Sequence, residues 1–150
     1  MTMKKYLLMT TLLVHTGTAV FATTAEEFFP EGLESSTNNG VDVRKGTIKA
    51  LIENALYLDV HLKNGVSDEK TLSSIKDIRD SIAGVKAVGV FEVFPAIDWF
   101  QYEVKPGNMM VGVLYLQQFP DQMTAELQQK LVLLPKTTSP LLRAEIAKLI

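Results

Sequence analysis

The chain contains no cysteine. That single absence removes disulfide staples, thiol nucleophiles and thiolate metal ligands, so a small domain of this composition must rely on its apolar core. Histidine is almost as scarce. Of the two present, His15 lies near the N-terminus and His61 stands alone in the rest of the chain. Zinc sites draw on several His or Cys ligands, so no metal and no cofactor is expected. A calcium loop with regularly spaced Asp and Asn is also missing; "STNNG" (36–40) lacks the acidic spacing. Gly84 and Gly89 do not form a phosphate-binding loop. Nor is there an excess of positive charge: 15 Lys and Arg face 17 Asp and Glu, for a net charge of −2. Nothing in this balance suggests the basic footprint by which proteins bind nucleic acid or anionic lipid, and no nucleic-acid partner is expected. Only one long apolar run occurs, and it lies at the start.

That run carries an export pattern. Lys4 and Lys5 precede an apolar stretch, Tyr6 to Val14, broken only by Thr10 and Thr11. Val20-Phe21-Ala22 then places small residues where a signal peptidase reads. A membrane-spanning helix needs about 20 apolar residues, and His15, Thr16, Gly17 and Thr18 interrupt this one too early. The expected organisation is a cleaved signal peptide over 1–22, an acidic flexible arm over 23–41, and one globular domain over 42–150. The product is expected outside the cytoplasm, periplasmic or secreted and of bacterial type, with no transmembrane segment after cleavage. In the arm, Glu26, Glu27, Glu31 and Glu34 have no basic neighbour, and apolar surface is too sparse to offset the entropy of ordering. Phe28 and Phe29 are its exception and suit either docking on the domain or binding a partner.

Hydrophobic spacing predicts a first helix over 42–63. At about 100° per residue, Ile48, Leu51, Ile52, Ala55 and Leu62 share a stripe widened by Leu56 and Leu58. Asp59 falls in the middle of that stripe, so it is expected as a carboxylate held against the core unless the helix breaks near it. A second helix is predicted over 67–83, capped at Ser67, with Leu72, Ile75, Ile78 and Ile82 buried and an exposed Lys76–Asp80 pair. The short Asn64-Gly65 connection implies a helix hairpin.

Three segments then read as strands: "VKAVGVFEVF" (85–94), "IDWFQYEV" (97–104) and "MMVGVLYLQ" (109–117), with "KPGN" (105–108) as a turn. One face of this meander, with Phe100, Tyr102 and Val104 beside Met109, Val111 and Val113, would be apolar. Two short helices close the chain, the second opening on Ser139-Pro140. The predicted fold class is therefore α+β: an N-terminal helix hairpin packed on a three-stranded antiparallel sheet, with two short C-terminal helices. "VGVFEVFPAI" (88–97) resembles, over about ten residues, the strand segment of SYLF-type lipid-binding domains, but "DWFQYEV" replaces the glycine-rich continuation of that family, and no fold, ligand or residue role is carried over.

His61 is expected on the surface, out of reach of Asp59. Glu92, Asp98, Glu103 and Asp59 are the only material for acid–base chemistry. The expected function is accordingly a non-catalytic interaction module binding a protein or peptide through Trp99, Glu103, an outer strand edge or the Phe28-Phe29 arm. The alternatives are a small apolar-ligand or lipid carrier, with a cavity lined by Phe100, Met109 and Val111, and a carboxylate-dependent hydrolase.

Overall fold

A computed structural model describes residues 32, 34–101, 103–134 and 139–150. The expected signal peptide, Phe28, Phe29, Tyr102 and Pro135 lie outside the described residues.

The described chain opens with a β-hairpin. Strand β1 (Ser35–Asn38) pairs antiparallel with β2 (Val41–Arg44), in a register that sets Ser35 opposite Arg44 and Asn38 opposite Val41. Asn39 and Gly40 connect them, both with positive φ (48° and 77°). An Asn-Gly pair in this conformation matches the right-handed twist of the two strands. Val43 points inward and is buried, while the Asn39 side chain donates to the Ala87 carbonyl at 3.0 Å. The hairpin thus lies along the next but one element instead of extending the first helix, which begins five residues later than its predicted start at Asp42.

Helix α1 (Thr47–Lys63) follows a left-handed Gly46, and α2 (Glu69–Ala87) starts where the Asp68 carboxylate accepts from the Thr71 N–H at 2.8 Å. These two helices pack on each other, as the short connection implied. Gly84 does not end α2. A Cβ there would meet the Val43 side chain at 3.7 Å, so this glycine is where β2 rests on the helix. The stop is Gly89, with φ 82°, whose N–H donates to the Lys86 carbonyl. The left-handed conformation suits glycine at a helix C-terminus.

From this point the structure overturns the predicted meander. The segment read as the first strand is the end of α2 followed by a single turn, α3 (Val90–Val93). The second holds a 3-10 turn over Ala96–Trp99. The third is helix α4 (Pro106–Gln118). Pro106, expected inside a hairpin loop, stands in the first turn of that helix, where its missing N–H has no partner to lose. Then come a 3-10 turn (Pro120–Gln122), α5 (Ala125–Val132) and α6 (Pro140–Ile146). Among the described residues there are six α-helices and one two-stranded sheet.

The physical reason lies in α4. Every residue from Met109 to Leu116 is buried. The helix packs against α1, α2, α6 and the Ala96–Trp99 turn, so no face meets water and no 3.6-residue period survives. A short, continuously apolar run reads equally well as a buried strand.

Asp59 sits against the core, and its role is structural. Its Oδ1 accepts from the Gly107 N–H at 2.7 Å. The residue before α4, Lys105, supplies no side-chain cap. Asp59 therefore reaches across from α1 to serve one of the open N–H groups of α4, where negative charge is also favoured by the helix dipole. The approach is close: a Cβ on Gly107 would stand 1.9 Å from the Ala55 carbonyl oxygen.

Candidate functional site

Helix α1 has more apolar surface than its neighbours cover. Leu51, Ala55, Leu58 and Leu62 are buried. Ile48, Ile52, Leu56 and Val60, each four residues apart, form a second ridge with exposures of 40, 50, 56 and 57%. At about 1.5 Å rise per residue this ridge runs about 18 Å along the helix. Ile48 and Ile52 were expected in the buried stripe; the structure leaves them partly in water.

The N-terminal half of the ridge borders a groove of about 320 Å³. Ile48 and Ile52 form one wall, and Val90, Phe94 and Trp99 the other. Leu51 and Val85 lie in the floor as core side chains, and Asp98 and Asn108 provide its polar groups. The second wall is held by local chemistry. Pro95, with φ −60° and ψ 152°, turns the chain into the Ala96–Trp99 turn. The Trp99 Nε1–H donates to the Phe94 carbonyl at 2.8 Å, and its ring lies 5.4 Å from that of Phe91. Beneath, Gly112 leaves room for Trp99 and Phe100: a Cβ there would stand 2.8 Å from the Phe100 ring.

The aromatic cluster therefore divides by depth. Phe91 is buried and stacks on Tyr115 at 3.9 Å; Trp99 and Phe100 are half-buried; Phe94 is exposed. Burial raises the Tyr115 phenol above its ordinary pKa, and the charges of Glu92 and Asp121 push it in the same direction. Tyr115 is thus a neutral core ring at ordinary pH.

Of the residues named in sequence as candidates for binding or acid–base chemistry, Trp99 and Asp98 line this groove. Glu103 is exposed in the turn before α4 and is not part of the groove wall. Asp59 is committed to Gly107. His61, expected on the surface, is half-buried: its ring stacks on Tyr57 at 3.7 Å, and Nδ1 lies 2.8 Å from the Tyr57 carbonyl. Ile48, Ile52 and Phe94 were missed as site residues, although a signal existed. Apolar residues at 48, 52, 56 and 60 in addition to 51, 55, 58 and 62 make a stripe wider than one packing partner covers.

A second, polar groove lies between the hairpin and α2, with Asp42, Arg44, Asp77 and Asp80 on its walls. Lys76 bonds Asp80 there, as its spacing predicted. Among the described residues no cluster of His, Asp or Glu is arranged to hold a metal ion, and no helix is long and apolar enough to cross a membrane. What the apolar groove offers chemically is desolvated contact area and a rigid indole, the materials of recognition. Comparison of the chain with protein families, with curated proteins and with solved structures found no match.

Proposed function

We propose that this protein is an exported, non-catalytic interaction module that receives an apolar or aromatic segment of a protein or peptide in the groove between Ile48, Ile52, Phe94 and Trp99. The observation that carries the reading is the exposed ridge of α1 running into that groove. Binding energy at such surfaces concentrates in a few aromatic and aliphatic anchors placed in a depression, and contiguous exposed apolar surface rimmed by polar groups marks an interaction site. The Nε1–H of Trp99 is already satisfied within the chain, so its ring serves a ligand without a stranded donor. The groove is also open, since Ile52 and Phe94 on its two walls are 50 and 57% exposed. Met109 and Val111, which a carrier would need around its ligand, are instead part of the packed interior.

Panning the protein against a random peptide library tests this. Peptides bearing Phe, Trp or Leu should be enriched, and their affinity should fall at least about tenfold, or about 1.4 kcal/mol, in Ile52→Asp. Because Ile52 is half-exposed, the melting temperature of that variant should be close to that of the wild type. Selection of purely polar peptides, or peptides that bind Ile52→Asp undiminished, would sink the proposal.

A further inference from the structure

The groove has a candidate occupant within the same chain. The Glu34 carbonyl accepts from the Lys45 N–H at 2.8 Å, so the chain enters the described fold beside the turn that starts α1. Ile48, the first residue of the groove wall, is three positions beyond Lys45. Phe29 lies five residues before Glu34, a reach of up to about 17 Å at 3.3–3.6 Å per residue. At about 1.5 Å rise per residue, Ile48 and Ile52 lie within about 8 Å of Thr47 along α1, inside that reach.

The chemistry of this segment is complementary to the place where it emerges. "AEEFFPE" (25–31) sets two phenylalanines between Glu26, Glu27 and Glu31. Lys45 and Lys49, both exposed, stand at the end of α1 that carries Ile48 and Ile52. Lys49 meets Glu53 at only 3.5 Å across an exposed surface, an ion pair weak enough to be exchanged.

We infer that Phe28 and Phe29 occupy the Ile48–Trp99 groove of their own chain when no partner is bound, with the flanking glutamates over Lys45 and Lys49. The inference rests on the proposed binding role of the groove and adds a regulatory device: an incoming peptide must displace the arm. Tethering makes that competition strong, because a short linker holds its ligand at millimolar effective concentration.

Trp99 is the only tryptophan and lines the groove, so it reports occupancy directly. In the full chain, Phe28→Ala/Phe29→Ala should shift Trp99 emission to the red and raise its acrylamide quenching constant relative to the wild type. Glu26→Lys/Glu27→Lys should move both in the same direction. A synthetic peptide of residues 23–34 added to the double alanine variant should reverse the change, and library peptides should bind that variant more tightly than the wild type. Unchanged emission and quenching in both variants would overturn the inference. Trp99 protection that is the same in wild type and variants but rises with protein concentration would also overturn it, assigning the groove to a second copy. Library peptides that still require Ile52 in any of these cases would leave the binding role of the groove intact, so the two failures are told apart.

Discussion

Two glycines and one aspartate decide how closely α4 approaches the rest of the molecule. Gly107 touches the backbone of α1, and backbone cannot swing aside as a side chain can. Gly107→Ala should therefore force α1 and α4 apart, at a cost of about 3 kcal/mol and with loss of the Asp59 bond, measured as a lower denaturation midpoint. Gly112→Ala should cost less, since the nearest obstructing atoms belong to the half-buried Phe100 ring, which can rotate away, and the next, Trp99 Cβ, stands at 3.3 Å. An equal loss at the two sites would contradict this account of the α1–α4 contact. The position of Asp59 was legible in sequence as a polar residue on an apolar stripe. Its partner was not, because Gly107 is 48 residues away and nothing in the local pattern connects the two.

Helices α2, α4 and α6 are joined by a polar cluster at one end of the core. Arg79 donates to Gln117 at 2.6 Å and to Glu145 at 2.8 Å, and Gln117 donates to both the carbonyl and the carboxylate of Glu145. Burial pushes the Glu145 carboxyl upward, but hydrogen bonds from Lys148, Gln117 and Arg79, with the charge of Arg79, together hold it below its ordinary value of 4.5. A carboxylate whose pKa is lowered on folding stabilises the fold fully above the unfolded value, and the contribution fades as pH falls through the lower, folded one. Partial access of water reduces that contribution to about 1 kcal/mol. Glu145→Gln should accordingly be less stable than the wild type at neutral pH, with the gap narrowing below about pH 4.5 in denaturation curves taken across that range. A gap that stays constant with pH would remove Glu145 from this role. At the same scale, α1, α2, α5 and α6 were readable as helices because each keeps one wet face and carries caps or stops such as Thr124 and Pro140, although the cap of α2 is Asp68 and not the expected Ser67. The β-hairpin was missed although Asn39-Gly40 is a strong turn signal. Ser, Thr and Asn around it lowered its apparent capacity to order, and its anchor, Val43 against Gly84, is a long-range contact.

For the whole molecule, the decisive feature is a central helix enclosed on all sides. Adjacent residues then matter equally. Met109→Ala and Met110→Ala should each cost about 2–5 kcal/mol, because both side chains are buried although they point about 100° apart. In a sheet with one wet face, one of the two would be nearly silent; that result in urea denaturation would restore the strand reading. The same enclosure explains the groove. With α4 claiming the Leu51–Leu62 side of α1, the Ile48–Val60 ridge is left to one side, and only the turn carrying Phe94 and Trp99 comes near enough to form a second wall.

The amino-acid sequence alone determined the chemistry this chain lacks, its charge balance, and the helices α1, α2, α5 and α6, each with one face in water, because an amphipathic period and a capping residue are local properties. The tertiary structure alone decided that 106–118 is a helix, that Asp59 serves Gly107, and that the Ile48–Val60 ridge of α1 stays exposed, with Ile48 and Ile52 beside Trp99. A segment buried on every side has no period to read, and which of two apolar faces is covered depends on neighbours that only the folded chain brings together.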